Sequence, residues 1–140
     1  MVKLPRSIEQ KIRFIGEKVY PEEGCGIIFG GKHEADYHVR EIIEVLNSAP
    51  VHRDERYSIT PQQFQEAEKI MKDHNIALIG LFHSHPNHRP EPSVYDLEHA
   101  LPFMLYIIVA VVGGVATGMT AWTLTENRQR FDQATIEIEN

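Results

Sequence analysis

"GLFHSHPNHRPEPSVYDLEHA", residues 80–100, decides how the rest of the chain is read. Two histidines flank a serine at the end of an apolar run, and a Pro-rich loop then leads into Ser93 and Asp96. The run "IALIGLFHSH" (76–85) predicts a strand that ends in the histidines, and side chains at i and i+2 of a strand share a face. His83 and His85 can therefore reach one ion. Zinc takes imidazole nitrogen and carboxylate oxygen alike, at about 2.0–2.2 Å. Two residues on one strand cannot complete a tetrahedron, so a third ligand has to come from elsewhere. The plainer alternative is a polar strand end at the surface.

Ser93 and Asp96 also read two ways. "SVYD" before Leu97, Ala100 and Leu101 matches a capping box, in which Ser93 caps a helix and Asp96 complements its dipole. A residue in that first turn is equally well placed to face a metal held by the loop, and a capping serine can still donate its own proton. His99, three residues after Asp96, is a competing ligand. His33, His38, His52, His74 and His88 have no comparable setting and read as surface residues.

Working outward, Ile8, Ile12, Ile15 and Val19 fall at helical spacing over 7–19, with Ser7 as the cap and Pro21 marking the end. "GCGIIFGG" (24–31) reads as a short buried strand and "YHVREIIEVLN" (37–47) as a second. Residues 48–60, with Pro50 and "HRDER", read as an exposed loop. Thr60-Pro61 opens a helix over "QQFQEAEKIMKDH". After the helix that follows Ser93, strands are expected near 105–112, 119–125 and 131–138, the last with one wet face. Strands and helices are mixed, which implies an α/β fold: residues 1–140 as a single domain, a mixed β-sheet flanked by helices.

At 140 residues, 42% hydrophobic and 24% charged, the chain is long enough to bury a real core. A net charge of −6 argues against nucleic acid as a partner. The lone cysteine, Cys25, leaves no internal disulfide and fits a cytoplasmic protein. The opening residues show no apolar signal region. Ala100–Thr125 carries no charge, but Pro102, the Gly113-Gly114 pair and the β-branched run "YIIVAVV" fit a buried strand and a glycine turn, not a membrane span.

A hydrolytic zinc site needs an open position for water and a nearby base. Glu22 and Glu23 are the upstream acids, although most such pairs are solvated turns. Cys25, in an apolar strand, reads as packing. There is no HExxH, no paired CxxC, no Gly-x-Ser-x-Gly and no Pro-Cys-x-x-Cys.

His83-Ser84-His85-Pro86, with seven residues from His85 to Ser93 and two more to Asp96, resembles the motif of the JAMM (JAB1/MPN/Mov34) metalloprotease family. "YPEEGCGIIFGG" resembles that family's upstream Pro-x-Glu-x-x-Gly strand, and "RYSITPQQFQEA" resembles the start of its middle helix. The resemblance covers nearly the whole chain. It implies a cytidine-deaminase-like fold, with His83, His85 and Asp96 holding Zn2+. It makes Glu23, by its spacing to Gly26, the general acid/base on the bound water, and Ser93 the donor to the oxyanion. It also implies hydrolysis of peptide or isopeptide bonds at the tails of ubiquitin-like proteins. The chain is similar to the compact prokaryotic type, associated with ubiquitin-like sulfur-carrier proteins, which points to cleavage after Gly-Gly of an extended tail laid along an open sheet edge. A homodimer is left open. The alternative is a non-catalytic scaffold or a module that binds ubiquitin-like proteins; scaffold members lose motif residues, and none is lost here.

Overall fold

The computed structural model describes residues 1–140. One eight-stranded mixed sheet carries the chain: β1 (Val2–Pro5), β2 (Cys25–His33), β3 (Asp36–Val45), β4 (Ala77–Pro86), β5 (Leu105–Val112), β6 (Val115–Leu124), β7 (Phe131–Ala134) and β8 (Ile136–Glu139). Their order across the sheet is β7-β6-β5-β4-β2-β3-β1-β8. β4 lies inside it, antiparallel to β2 and parallel to β5. Three helices complete the fold, α1 (Arg6–Val19), α2 (Pro61–Ile70) and α3 (Val94–His99).

The period of two sorts the strand side chains onto two faces. Ile28, Phe82, Leu105, Ile107 and Val109 join Ile8, Ile12 and Ile15 of α1 in the larger core. Ile27, Phe29, Leu81 and Tyr106 point the other way and pack with Ala67 of α2. His83 and His85 continue the Leu81 side of β4, so they emerge on the face that α2 and α3 partly cover. Gly26 permits the tight contact between β2 and its neighbours, since a methyl group there would run into the Phe82 ring and the Ile43 carbonyl.

Several expectations change. α1 begins at Arg6 after Pro5, with no side-chain cap, so Ser7 sits inside the first turn. α2 is capped as expected by Thr60, with Gln63 closing a capping box, but it stops at Ile70 and a 3-10 turn covers Lys72–His74. β6 starts at Val115, earlier than expected. β1 is a strand that sequence reading passed over; parallel pairing with β3 and β8 holds it in place. The expected strand over 131–138 is two strands on opposite edges of the sheet. β7 pairs with β6, β8 pairs with β1, and only Thr135 separates them. The Thr135 carbonyl accepts from Val2 N–H at 2.7 Å. The two edges must therefore come close together, and the sheet curls around α1, which touches β1, β3, β4, β5, β6 and β8. No helix is long and apolar enough to cross a membrane.

Candidate metal centre

Three elements converge at the end of β4. The strand delivers His83 and His85 from one face, and the first turn of α3 delivers Asp96. The peptide before β2 delivers Glu23. All four are buried. The two Nε2 atoms lie 3.1 Å apart, and Asp96 Oδ2 lies 3.2 Å from each. A tetrahedral ion with donors at about 2.0–2.1 Å has donor–donor edges of roughly 3.3–3.4 Å. The triangle is close to one face of that tetrahedron. Glu23, His83 and His85 also bring donor atoms within 4.8 Å of one another.

Hydrogen bonding orients the donors. His85 Nδ1 faces the Arg89 carbonyl at 2.9 Å. A carbonyl only accepts, so Nδ1 carries a proton, which leaves Nε2 as the nitrogen that faces the cluster. His83 has no such outer partner, and its buried Nδ1 is unbonded. Its plane is held by Tyr57, whose ring stacks on it at 4.4 Å between centroids and 22°. Burial lowers the pKa of His83 despite the attraction of Asp96, which keeps the ring neutral and able to ligate. Burial alone would raise the Asp96 carboxyl. The attraction of His83, its hydrogen bond to that ring and the bond from Ser93 N–H outweigh that and hold it well below the usual carboxylate range.

Glu23 differs. Burial first, and then the nearby Asp96, Asp54 and Glu55, push its pKa up to about 9. Its Oε1 is buried without a partner. A carboxyl in this state, beside the Asp96 carboxylate and a His83 ring whose pKa burial lowers, lacks a positive charge. The donor set, the triangle and the orphaned oxygen together fit a divalent ion.

The Glu23 backbone is fixed by residues that sequence reading did not single out. Its N–H donates to Arg53 O at 2.7 Å and its carbonyl accepts from Asn47 Nδ2 at 3.1 Å. Gly24 N–H donates to Ser84 Oγ at 2.7 Å, and Ser84 N–H donates back to Gly24 O at 3.0 Å. Ser84 was legible in part, because a serine between two same-face histidines must point into the opposite, apolar face. The stretch 48–60 is the expected loop, exposed from Pro50 to Arg56, and it also supplies the Arg53 carbonyl and the Tyr57 ring to the site.

The other candidates separate clearly. Glu22 is exposed. His99 is exposed, bonds Tyr95 O through Nδ1 at 2.9 Å and stacks on the Tyr95 ring, away from the cluster. Cys25 is buried with Sγ 3.6 Å from Val45 O, and burial pushes its thiol up to about 12. It packs as expected. The capping box at Ser93 is present in both directions: Ser93 Oγ accepts from Asp96 N–H at 3.0 Å, and Asp96 Oδ2 accepts from Ser93 N–H at 2.9 Å.

A cavity of about 630 Å³ opens over the cluster, lined by Glu23, His85 and Ser93, by Glu55 and Arg56 of the 48–60 stretch, and by the 87–92 loop. A smaller cavity of about 230 Å³ adjoins it through Tyr95 and reaches Asp96; Tyr57, Ile59, Phe64 and Leu81 make it mostly apolar. β4 lies inside the sheet, but its pairing with β2 ends at His83, so beside His85 and Pro86 it has a strand partner only in β5.

Fold and site define an α/β domain that gathers a His-His-carboxylate cluster fit for a metal ion at the end of a central strand. Residues 5–125 match the family model of prokaryotic homologs of the JAB domain, and the chain belongs to that family. It is 31% identical over 118 residues to the desampylase of Pyrococcus furiosus, covering 84% of this chain and 76% of that protein. A solution structure from Salinibacter ruber superposes with a TM-score of 0.76 at 32% identity, over 100% of this chain and 92% of that one. The fold is shared with a Desulfitobacterium hafniense protein, at TM-score 0.86, 21% identity and coverage of 99% and 93%. It is also shared with a JAB1/MPN domain protein of Archaeoglobus fulgidus, at TM-score 0.61, 17% identity and coverage of 100% and 98%.

Proposed function

We propose that the protein is a zinc-dependent metallopeptidase or isopeptidase that hydrolyses a C-terminal amide of a ubiquitin-like sulfur-carrier protein after Gly-Gly. The observation that carries this reading is the near-tetrahedral triangle of His83, His85 and Asp96 beside a buried, partnerless Glu23 carboxyl. The similarity to a desampylase supports a ubiquitin-like substrate.

In this reading His83, His85 and Asp96 hold the ion. When bound, zinc supplies Lewis-acid polarisation and lowers the pKa of water towards ~7. Glu23 takes the proton of the attacking water and later delivers it to the leaving amine. Ser93 spends an Oγ lone pair on Asp96 N–H, so its own O–H remains free to donate to the oxyanion that forms at the carbonyl. Glycines suit the approach to this buried cluster, since residues without side chains pass close to Ser93 and Glu23. The 48–60 and 87–92 segments line the same cavity and are positioned to grip the folded carrier. The reaction belongs in the cytoplasm.

The test is to incubate zinc-loaded and chelated protein with tailed carriers and with matched tail peptides, following products by mass. Cleavage after Gly-Gly of the carrier only, lost on chelation, is expected. Equal rates on peptides, or cleavage that ignores the glycines, would sink the carrier assignment. A protein that binds the carrier and cleaves nothing would be a binding module instead.

A further inference from the structure

Residues 87–92 form one wall of the cavity and also hold a ligand, because the Arg89 carbonyl accepts from His85 Nδ1 at 2.9 Å. They belong to no helix or strand, so no ladder of their own keeps that carbonyl in place. The wall is fixed from outside, at both ends. At the start, Asn87 N–H donates to Val111 O at 2.8 Å, and Asn87 Oδ1 accepts from Gly113 N–H at 2.9 Å. Further on, the Pro90 carbonyl accepts from Thr120 Oγ1, and Thr120 Oγ1 accepts from Trp122 Nε1 at 2.8 Å. The direction of this relay is forced. An indole N–H only donates and a carbonyl only accepts, so the Thr120 proton points at Pro90. Bonds that run one way along a chain also polarise and strengthen one another.

The relay starts from a firm base. Thr120 and Trp122 lie two apart on β6 and share a face, and Trp122 packs against the core that Leu81 and Tyr106 help to form. Neither residue lines the cavity. The Arg89 and Pro90 carbonyls are separated only by the φ and ψ of Pro90. The ring locks φ, and the bond from Thr120 leaves ψ little play. The direction set at Pro90 is therefore passed to the Arg89 carbonyl and on to the imidazole. We infer that Thr120, oriented by Trp122, is a positioning residue for His85, setting through two loop carbonyls how Nε2 faces the cluster. The inference rests on the metal-ion reading above and adds a residue of β6, a strand that supplies no member of the cluster.

The experiment reads zinc directly. Chelator competition gives the zinc dissociation constant of wild type, Thr120→Val, Thr120→Ser and Trp122→Phe, and NMR of the metal-free proteins follows the His85 Nδ1 proton. Thr120→Val keeps the side-chain shape and loses the relay, so zinc should bind about tenfold more weakly, the lower end of what losing an outer-shell partner costs a metal site. Its Nδ1 proton should exchange faster with water. Thr120→Ser restores the hydroxyl and should return both readings to near the wild-type values, which a role in packing alone would not do. Trp122→Phe removes only the outer donor and should fall between wild type and Thr120→Val. Circular dichroism checks folding, and if Thr120→Val does not fold, Trp122→Phe decides by the same two readings. An unchanged dissociation constant in the deciding variant, or a serine variant that binds zinc as weakly as the valine one, overturns the positioning role and leaves the metal centre standing. A wild type that binds no zinc overturns the metal-ion reading and this inference with it.

Discussion

The unpartnered Glu23 carboxyl makes a measurable prediction about stability against pH in metal-stripped protein. Its folded pKa is raised to about 9 from 4.5. A raised acid favours the folded state fully below the unfolded pKa, and that contribution is lost as pH rises towards the folded value. Between pH 7 and 8 the unfolded side chain is already ionised while the folded one is still protonated. One proton is at stake, so stability should drop by about 1.3 kcal/mol across that unit. For 140 residues, each contributing about 2.1 cal/mol/K of unfolding entropy, the drop corresponds to roughly 4 °C in Tm.

The window is clean by design. Asp96 is held low and is ionised in both states. His83, lowered from 6.5, is neutral in the folded state across this window, and the unfolded chain sheds only the last part of its imidazole charge there, a small effect of opposite sign that Glu23→Gln shares. Cys25, Tyr57 and Tyr106 are raised from 9.0, 10.0 and 10.0, and they contribute mainly above pH 8. The assay is thermal denaturation of chelated protein at several pH values, for wild type and Glu23→Gln. The glutamine cannot ionise, so its slope over pH 7–8 should vanish. Zinc restored to the wild type should flatten its slope too, since a positive charge offsets the burial. Equal slopes in wild type and Glu23→Gln would refute the reasoning.

Purified protein should hold about one zinc per chain by elemental analysis, and Asp96→Ala should strip most of it; retention would remove Asp96 from the ligand set. Glu23→Gln should abolish turnover in the carrier assay while zinc stays bound, and Glu22→Gln should be mild; the reverse pattern would mean that the wrong acid of the pair was chosen. Ser93→Ala should lower kcat by on the order of 10² to 10³ and cost ~1 kcal/mol as a lost cap, whereas Ser93→Gly should cost only a few tenths of a kcal/mol in stability. Recovery of activity in the glycine variant would make the role of Ser93 purely structural.

Local rules carried much of this architecture. The period of two placed His83 and His85 on one face, Thr60-Pro61 opened α2, and the Ser-x-x-Asp box opened α3, because each depends on neighbours within four residues. What escaped depends on distant partners. Val2–Pro5 is four residues with a lysine and a proline, and it becomes a strand through pairing with β3 and β8. The division at Thr135 is invisible locally, because the chain on either side continues an extended pattern while the edges it joins are set by sheet curvature. Tyr57 and Arg53 support the site from a stretch whose charge and Pro50 signalled only exposure, and Asn47 does so from the end of what read as the second strand. A loop can satisfy those signals and still fold inward when a buried glutamate needs its backbone fixed.

The capping box shows why the two readings of Ser93 and Asp96 never competed. Capping uses one lone pair of Ser93 Oγ, for Asp96 N–H, and the Asp96 oxygen that accepts Ser93 N–H is the same Oδ2 that faces both imidazoles. A carboxylate oxygen has lone pairs enough for both tasks. The bond from Ser93 N–H fixes the direction in which Oδ2 presents itself, so the cap orients a ligand as well as ending a helix. The same closure holds Ser93 Oγ on the lining of the cavity over the cluster with its proton unspent. A six-residue helix has little stability of its own. Losing either partner of the box should therefore loosen the ligand and the donor together, which is why the alanine and glycine variants of Ser93, differing in cap strength and equal in lost donor, separate the two contributions.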